Sequence, residues 1–208
     1  MRANLTLDQL LDRISDPGSG APTGSSAALA GCLGASLLAS VCGAGLESCK
    51  NDRMEEELRS ARERALSLRR DLLALVEHGA RAAEAVAASG RNRMGTARGG
   101  PEGERLKALL FASEVPLRTA ESCHALLNLS LRVLGRVGVK SIAEIGTGTA
   151  LSFAGVVGGI VTARTYLASI PAGTGIGAES ARKRAERILR DAEALRTQIL
   201  DRVRKHLP

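Results

Sequence analysis

Two long stretches of the chain carry no charged residue, and small residues recur in both of them at helical spacing. The first stretch runs from Pro17 to Leu46 and the second from Ile145 to Ala163. Every fourth position of the first holds Ala or Gly: Ala27, Gly31, Ala35, Ala39 and Gly43. The second repeats the pattern with Ala150, Ala154 and Gly158 and with Gly155 and Gly159. Because small residues let two backbones approach closely, the pattern predicts two helices that cross nearly in contact.

A stripe of leucines lies beside the first small-residue face, at Leu29, Leu33 and Leu37. These faces are too flat and apolar to leave in water, so we expect the chain to dimerise through the small-residue helices. Each stretch is also long enough for a membrane span, which needs roughly 20 residues. The many Ser, Thr and Gly residues, the low density of Leu, Ile and Phe, and the missing aromatic belt favour buried helices of a bundle.

The remaining segments alternate apolar and charged positions with the period of a helix. A short helix is predicted to open at Leu5, where Thr6 and Gln9 form a capping box. Longer amphipathic helices are predicted at 51–88, at 104–136, where Pro116 kinks or resets the helix, and at about 178–206.

Loops are predicted where Gly, Pro and Ser concentrate, at Asp16–Ser26, and where the chain is Gly-rich and basic, at Ser89–Gly103. No segment alternates with the period of a strand. The pattern therefore predicts an all-α fold, a bundle of five to six long helices in a single domain over residues 1–208.

Composition supports this interpretation and adds little chemistry. The 208 residues include two Phe, one Tyr and no Trp, so Ala, Leu, Val and Gly must fill the core, as suits close-packed helices. The formal net charge of +7 arises largely from 24 Arg, and it favours an anionic ligand or partner. No basic segment followed by an apolar one opens the chain, and no CxxC pair occurs among four cysteines. We therefore expect reduced thiols and a cytoplasmic protein.

The common chemical motifs are weak or missing. Gly146-Thr147-Gly148 and Gly173–Gly177 follow no strand, and no GK[ST] is present, so a phosphate-binding loop is not favoured. Cys123 and His124 are adjacent and point about 100° apart on a helix, so no metal site is expected. The basic loop lacks interleaved aromatics, and nucleic-acid binding is not expected.

Two places carry more promise. The segment Gly24-Ser25-Ser26 precedes the first close-packed helix, where backbone N–H groups without helical partners favour an anionic or carbonyl group. Glu144 opens the other close-packed helix. It either complements the helix dipole or, if the helix start is buried, is a desolvated carboxylate with a raised pKa, suited to proton transfer.

These places also carry a family resemblance. The segments Gly24–Ala35, Ser113-Glu114-Val115-Pro116-Leu117 and Ile142-Ala143-Glu144-Ile145-Gly146 stand in the order and spacing of the cyclodeaminase/cyclohydrolase family of folate one-carbon metabolism, which the chain resembles over nearly its whole length. The resemblance implies an all-helical dimer, with a folate site near the subunit interface and no cofactor beyond the tetrahydrofolate substrate.

The resemblance also implies roles for individual residues. Glu144 would move a proton and Lys50 would stabilise charge. The residues expected to bind substrate are Gly24, Ser25, Ser26, Arg164, Arg91, Arg93 and Arg98, of which the last three would meet the glutamate tail of a folate. Hydrolysis of methenyltetrahydrofolate is the favoured reaction, because no formiminotransferase domain is fused to the chain, and formimidoyltetrahydrofolate cyclodeaminase chemistry is the close variant.

The chain also departs from the family pattern at several polar positions. Pro22-Thr23-Gly24-Ser25 replaces a Pro-Gly-Gly-Gly loop, and Ser48-Cys49-Lys50-Asn51 replaces a Lys-Lys-Lys-Tyr run. The Asp of a Ser-Asp pair is Glu144, and Gly79 and Ala83 fall near a family acid and Phe. Thr162 and Tyr166 stand where the family has a pair of Asn. These departures keep open an alternative, a diverged member that acts on another substrate or serves as a non-catalytic binding or regulatory bundle.

Overall fold

The computed structural model describes residues 6–16, 22–91, 100–171, 173 and 176–206, and every regular element in these ranges is helical. In chain order the elements are α1 Leu7–Ser15, α2 Pro22–Ser48, α3 Asp52–Arg91, α4 Gly100–Leu134, a 3₁₀ turn at Val139–Ser141, α5 Ile142–Ala168 and α6 Ile176–Arg204. The predicted all-α bundle is confirmed, with five long helices and one short one among the described residues.

Local capping chemistry sets two of the helix starts. The backbone N–H of Thr6 donates to Gln9 Oε1 at 3.0 Å, and the N–H of Gln9 donates to Thr6 Oγ1 at 3.3 Å, which is the predicted capping box. The side chain of Asn51 caps α3 by accepting from the N–H of Met54 at 3.0 Å.

Helices α2 and α5 pack antiparallel with their backbones almost touching, as the small residues predicted. A Cβ at Gly34 would lie 2.9 Å from the carbonyl oxygen of Gly148, and one at Gly158 would lie 2.8 Å from Ala27 Cβ. A Cβ at Gly155 would lie 3.0 Å from the carbonyl oxygen of Ala27. The close crossing therefore forms within one chain.

Two predicted loops and one predicted helix interruption need correction. Helix α2 begins at Pro22, so Gly24-Ser25-Ser26 lies in its first turns, because proline suits the first helical position. The predicted loop Ser89–Gly103 is shorter, since α3 runs to Arg91 and α4 starts at Gly100, while residues 92–99 lie outside the described ranges. Helix α4 continues through Pro116 and is not reset there.

The core is aliphatic and lies between α2, α3, α4, α5 and α6. Its largest fully buried side chains are Leu58, Leu72, Leu117, Leu126, Leu127, Ile142, Ile145, Ile160, Leu167, Ile199, Val41 and Val133. Burying one side chain of this size contributes about 1.5–3 kcal/mol. Aliphatic side chains therefore supply the buried apolar area that aromatic side chains supply in other cores.

One face of the α2–α5 pair remains uncovered in the single chain. Leu33 is 51% exposed and Val161 is 54% exposed, while Leu29, Leu37 and Val157 are half-buried. By length and composition alone, the segments Gly24–Ser48 and Val139–Ala168 are each apolar enough to cross a membrane, a test that core helices of soluble proteins also pass. In this bundle both segments bury a full face against other helices.

Candidate functional site

The strongest candidate site lies where the first turns of α2 meet α3 and α5. The hydroxyl of Ser25 donates to the carbonyl oxygen of Val76 in α3 at 3.2 Å. A Cβ at Gly79 would lie 3.9 Å from Ser25 Oγ, and one at Gly24 would lie 3.8 Å from Thr162 Cγ2 in α5. We call Gly24, Ser25, Gly79 and Thr162 the α2-end cluster. Three helices thus bring together residues from distant parts of the chain.

The backbone at this helix start provides hydrogen-bond donors. The first four N–H groups of a helix have no partner within the helix, and proline at the first position has no N–H. The N–H groups that follow Pro22 therefore favour a carbonyl oxygen or an anion, helped by the positive end of the helix dipole. The N–H groups of Thr23 and Gly24 are the ones after Pro22 that have no partner within the helix. The hydroxyl of Ser25 donates to α3, and its oxygen can still accept a hydrogen bond from a ligand.

Tyr166 lies one helical turn beyond Thr162 on the same side of α5. Its side chain is half-buried, and burial raises the pKa of its phenol, which keeps the hydroxyl a neutral donor at physiological pH. Arg164 is exposed and follows Thr162 by two positions, about 200° around the helix. The α2-end cluster and Arg164 therefore lie on opposite sides of α5.

Glu144 and Lys50 lie at the other end of the bundle. Glu144 stands in the first turn of α5, and 18 residues separate it from Thr162, about 27 Å along the helix axis. Lys50 follows the C-terminus of α2 at that same end, because the Cβ of a residue at Gly45 would lie 3.3 Å from Val137, just before α5. The single chain does not bring either residue to the α2-end cluster.

Both of these charged side chains are exposed in the single chain. The burial that a desolvated Glu144 carboxylate requires is absent there, so its place in the first turn complements the dipole of α5. Of the three arginines expected to contact an anionic tail, Arg91 is the last residue of α3, and Arg93 and Arg98 lie outside the described residues.

The segment around Glu114 serves the packing of α4 and α6. Both carboxylate oxygens of Glu114 accept from Arg184, at 2.7 and 2.8 Å, and Glu121 lies 3.0 Å from the same guanidinium group. Gly146-Thr147-Gly148 lies within α5 and is not a loop. Among the described residues, no group of three or more His, Cys, Asp or Glu side chains could hold a metal ion.

The described cysteines are free thiols, and three of them are buried. Burial raises the pKa of Cys32 and of Cys42 to about 11. Burial also raises the pKa of Cys123, whose sulfur fills the space between Gly31 and Gly155. These thiols are small core residues and not nucleophiles.

The partners of the cluster on α3 and α5 could not be found from local sequence patterns. In the sequence, Gly79 and Thr162 stand out only as departures from a family pattern, and Val76 only as an apolar position of an amphipathic helix. The α2–α3 and α2–α5 contacts that join them link residues more than 50 positions apart.

Comparisons with known proteins agree with this fold. A model of the formiminotransferase-cyclodeaminase family matches residues 6–173. A methenyltetrahydrofolate cyclohydrolase from Methylorubrum extorquens is 26% identical over 212 residues, which is 98% of each chain. A crystal structure of formiminotetrahydrofolate cyclodeaminase from Thermotoga maritima superposes with a TM-score of 0.81 over 98% of this chain and 96% of that one, at 20% identity. Since the family match covers most of the chain, the protein belongs to the formiminotransferase-cyclodeaminase family.

Proposed function

We propose that this protein is an enzyme of folate one-carbon metabolism that hydrolyses methenyltetrahydrofolate. The observation that carries the proposal is the match to a relative named methenyltetrahydrofolate cyclohydrolase over 98% of both chains. A match of that extent leaves no large insertion or missing helix between the two proteins. Cyclodeamination of formimidoyltetrahydrofolate is the close variant, after the name of the structural neighbour.

Both reactions act on a one-carbon unit joined to folate nitrogens, and both need a proton carrier and donors for a tetrahedral intermediate. In the proposal, the start of α2 at Gly24-Ser25-Ser26 binds the substrate, and Arg164, on the opposite side of α5, does not reach this place within one chain. Glu144 moves the proton, and the ammonium group of Lys50 stabilises developing negative charge.

Within one chain Glu144 and Thr162 of the α2-end cluster are about 27 Å apart along α5, too far for one reaction centre. We therefore propose a homodimer in which the uncovered face of α2 and α5 packs against its copy. A two-fold axis perpendicular to these helices sets the start of α2 in one subunit beside the Glu144 end of the other. The exposed Leu33 and Val161 lie in stretches of α2 and α5 that carry no charged residue, 24–46 and 145–163, and this supports the interface.

The shared site has a sharp test by subunit mixing. Gly24→Leu is expected to fill the space beside Thr162, and Glu144→Gln to lower kcat about 10²-fold or more. Refolding the two inactive variants together should restore about a quarter of wild-type turnover, because about half of the dimers are mixed and each has one intact site of two. No recovery would show that each site is built from one chain.

The matched control for the proton role is Glu56→Gln. Glu56 is also an exposed glutamate, and no ion pair within the described residues holds it. Its variant should keep wild-type turnover of methenyltetrahydrofolate, followed by loss of the methenyl absorbance. Unchanged turnover in Glu144→Gln would remove Glu144 from the mechanism, and a wild-type protein that neither turns over nor binds folates would remove the whole assignment.

The second candidate function is that of a diverged family member with another substrate or a purely binding role. The positions at which the chain departs from the family pattern favour this second candidate. Gly79, which falls near a family acid, and Thr162, which stands at a family Asn, belong to the α2-end cluster, and Tyr166 follows one turn after Thr162. A thermal-shift panel separates the candidates: stabilisation by folates without turnover supports a binding bundle, and no stabilisation supports a different substrate.

Arg91, the last residue of α3, and Arg93 and Arg98, which come after it in the sequence, are proposed to hold the anionic glutamate tail of the substrate. Replacing Arg91, Arg93 and Arg98 together with Ser should raise KM for a polyglutamylated folate and leave kcat nearly intact. The effect should shrink with added salt, since each exposed pair contributes about 1 kcal/mol or less. An equal loss of kcat, or no preference for longer tails at low salt, would exclude this role.

A further inference from the structure

A basic groove runs along the first half of α6, apart from the candidate site. It encloses about 930 Å³. Five of the eight residues that line it are cations and one is an acid: Gly173, Glu179, Ser180, Arg182, Lys183, Arg184, Arg187 and Arg190. The α2-end cluster uses α2, α3 and α5, so the two places share no residue.

Two of the five cations are committed to the protein and form the wall of the groove. The guanidinium of Arg182 donates to the carbonyl oxygens of Leu167 and Ile170, at 2.8 and 2.9 Å, and so caps the C-terminus of α5. Arg184 is held by carboxylates of α4, through Glu114 at 2.7 Å. These contacts hold α6 against α4 and α5 and do not involve the other three cations of the groove.

The other three cations form an exposed stripe. Lys183, Arg187 and Arg190 follow each other at spacings of four and three residues, which places them on one side of the helix about 5–6 Å apart. Lys183 has one acid nearby, Glu179 at 3.6 Å. Within the described part of the chain, neither Arg187 nor Arg190 has an acidic partner within 4.0 Å.

Like charges at this spacing repel and lower the stability of a helix. A multivalent anion would offset the repulsion, and guanidinium groups bind phosphate oxygens through paired, planar hydrogen bonds. Ser180 adds a hydroxyl donor, and the volume lies in the range of small-molecule sites. We propose that the groove is a binding site for a small oligophosphate, such as the phosphate chain of a nucleotide. The proposal does not rest on the proposed folate chemistry.

The test uses the full chain and isothermal titration with inorganic tripolyphosphate at fixed ionic strength. The wild type should bind, and Arg187→Ser/Arg190→Ser should raise Kd about tenfold, as expected for the loss of two exposed charge pairs. The matched control is Arg64→Ser/Arg70→Ser, which removes two exposed arginines of α3 that likewise lack ion pairs among the described residues. The control should bind like the wild type.

Each other outcome overturns the proposal. No binding to the wild type, or equal loss in both double variants, would show only general attraction to a positive protein. Tighter binding of citrate or triglutamate than of tripolyphosphate would assign the groove to carboxylates. A urea unfolding curve for each variant checks that the fold is intact, and the surface position of these arginines predicts little change.

Discussion

The facing glycines of the α2–α5 crossing give a prediction in which the same substitution has opposite effects at two neighbouring positions. A Cβ at Gly34 would lie 2.4 Å from Ser152 Oγ, 2.9 Å from the carbonyl oxygen of Gly148 and 3.2 Å from the Ser152 backbone nitrogen. A Cβ at Gly148 would meet the carbonyl oxygen of Gly34 and Leu37 Cβ, both at 3.5 Å, which is ordinary contact.

Two contributions decide how each Gly→Ala substitution changes the free energy of unfolding. In a helix Ala is about 0.8–1.0 kcal/mol more favourable than Gly, and this gain applies to both positions. Overpacking against backbone atoms costs about 1–3 kcal/mol, and it applies at Gly34 alone, because the Gly148 carbonyl is backbone and cannot rotate away. We therefore expect Gly34→Ala to lose up to about 2 kcal/mol net, and Gly148→Ala to gain up to about 1 kcal/mol.

The measurement is urea unfolding followed by helical circular dichroism, at one protein concentration so that any dimerisation is held constant. Adding Ser152→Gly to Gly34→Ala should recover only part of the loss, since the backbone clash with Gly148 remains. Equal effects of the two alanine substitutions, or full recovery in the double variant, would refute the view that backbone contact sets the crossing.

Three further predictions concern single side chains. Burial lowers the pKa of His124 from 6.5, against a smaller opposing effect of Asp191. The unfolded chain therefore takes up the proton first, and the free energy of unfolding should fall as pH drops below about 6.5. His124→Gln should weaken this dependence on pH between pH 5 and 7, and His78→Gln, at an exposed histidine, should not. Thiol labelling of the native protein should modify Cys49 fast and the three buried cysteines only after unfolding. Arg182→Ala removes the two bonds that one guanidinium nitrogen donates to the end of α5, and it should lower the free energy of unfolding by about 2 kcal/mol. Arg182→Lys should recover part of this loss, because an ammonium nitrogen also carries several donors.

The helical period of the apolar positions predicts most of the helices. The errors arose at Gly, Ser and Pro residues, which are compatible both with a loop and with a helix. The Gly- and Ser-rich segment after Pro22 looks like a loop, yet proline begins helices readily and the first turn of α2 tolerates glycine. Pro116 looked like a break in α4, but tertiary packing holds the helix on both sides of it, with the Pro116 carbonyl against Gly159.

The candidate site was predictable only in part, because the contacts that form it are tertiary. Gly24 and Ser25 could be singled out as a helix start, whereas their neighbours Gly79 and Thr162 follow from the packing of α2 between α3 and α5. The basic groove was hidden for a similar reason. In the sequence its arginines read as the polar face of an amphipathic helix, and only the ties of Arg182 and Arg184 to α5 and α4 show which charges remain uncompensated.

The positions at which the chain departs from the family pattern bear on how its function has diverged. At the α2 end, the resemblance places a family acid near Gly79 and a family Asn at Thr162, so the groups proposed to bind a substrate there differ in kind. At the opposite end of α5 the chain keeps a carboxylate at Glu144 and an ammonium group at Lys50. Proton transfer depends on such groups, whereas selection of a substrate depends on the polar groups it must pair with. Divergence in this family member is therefore expected to alter which C–N bond is recognised before it alters the type of reaction.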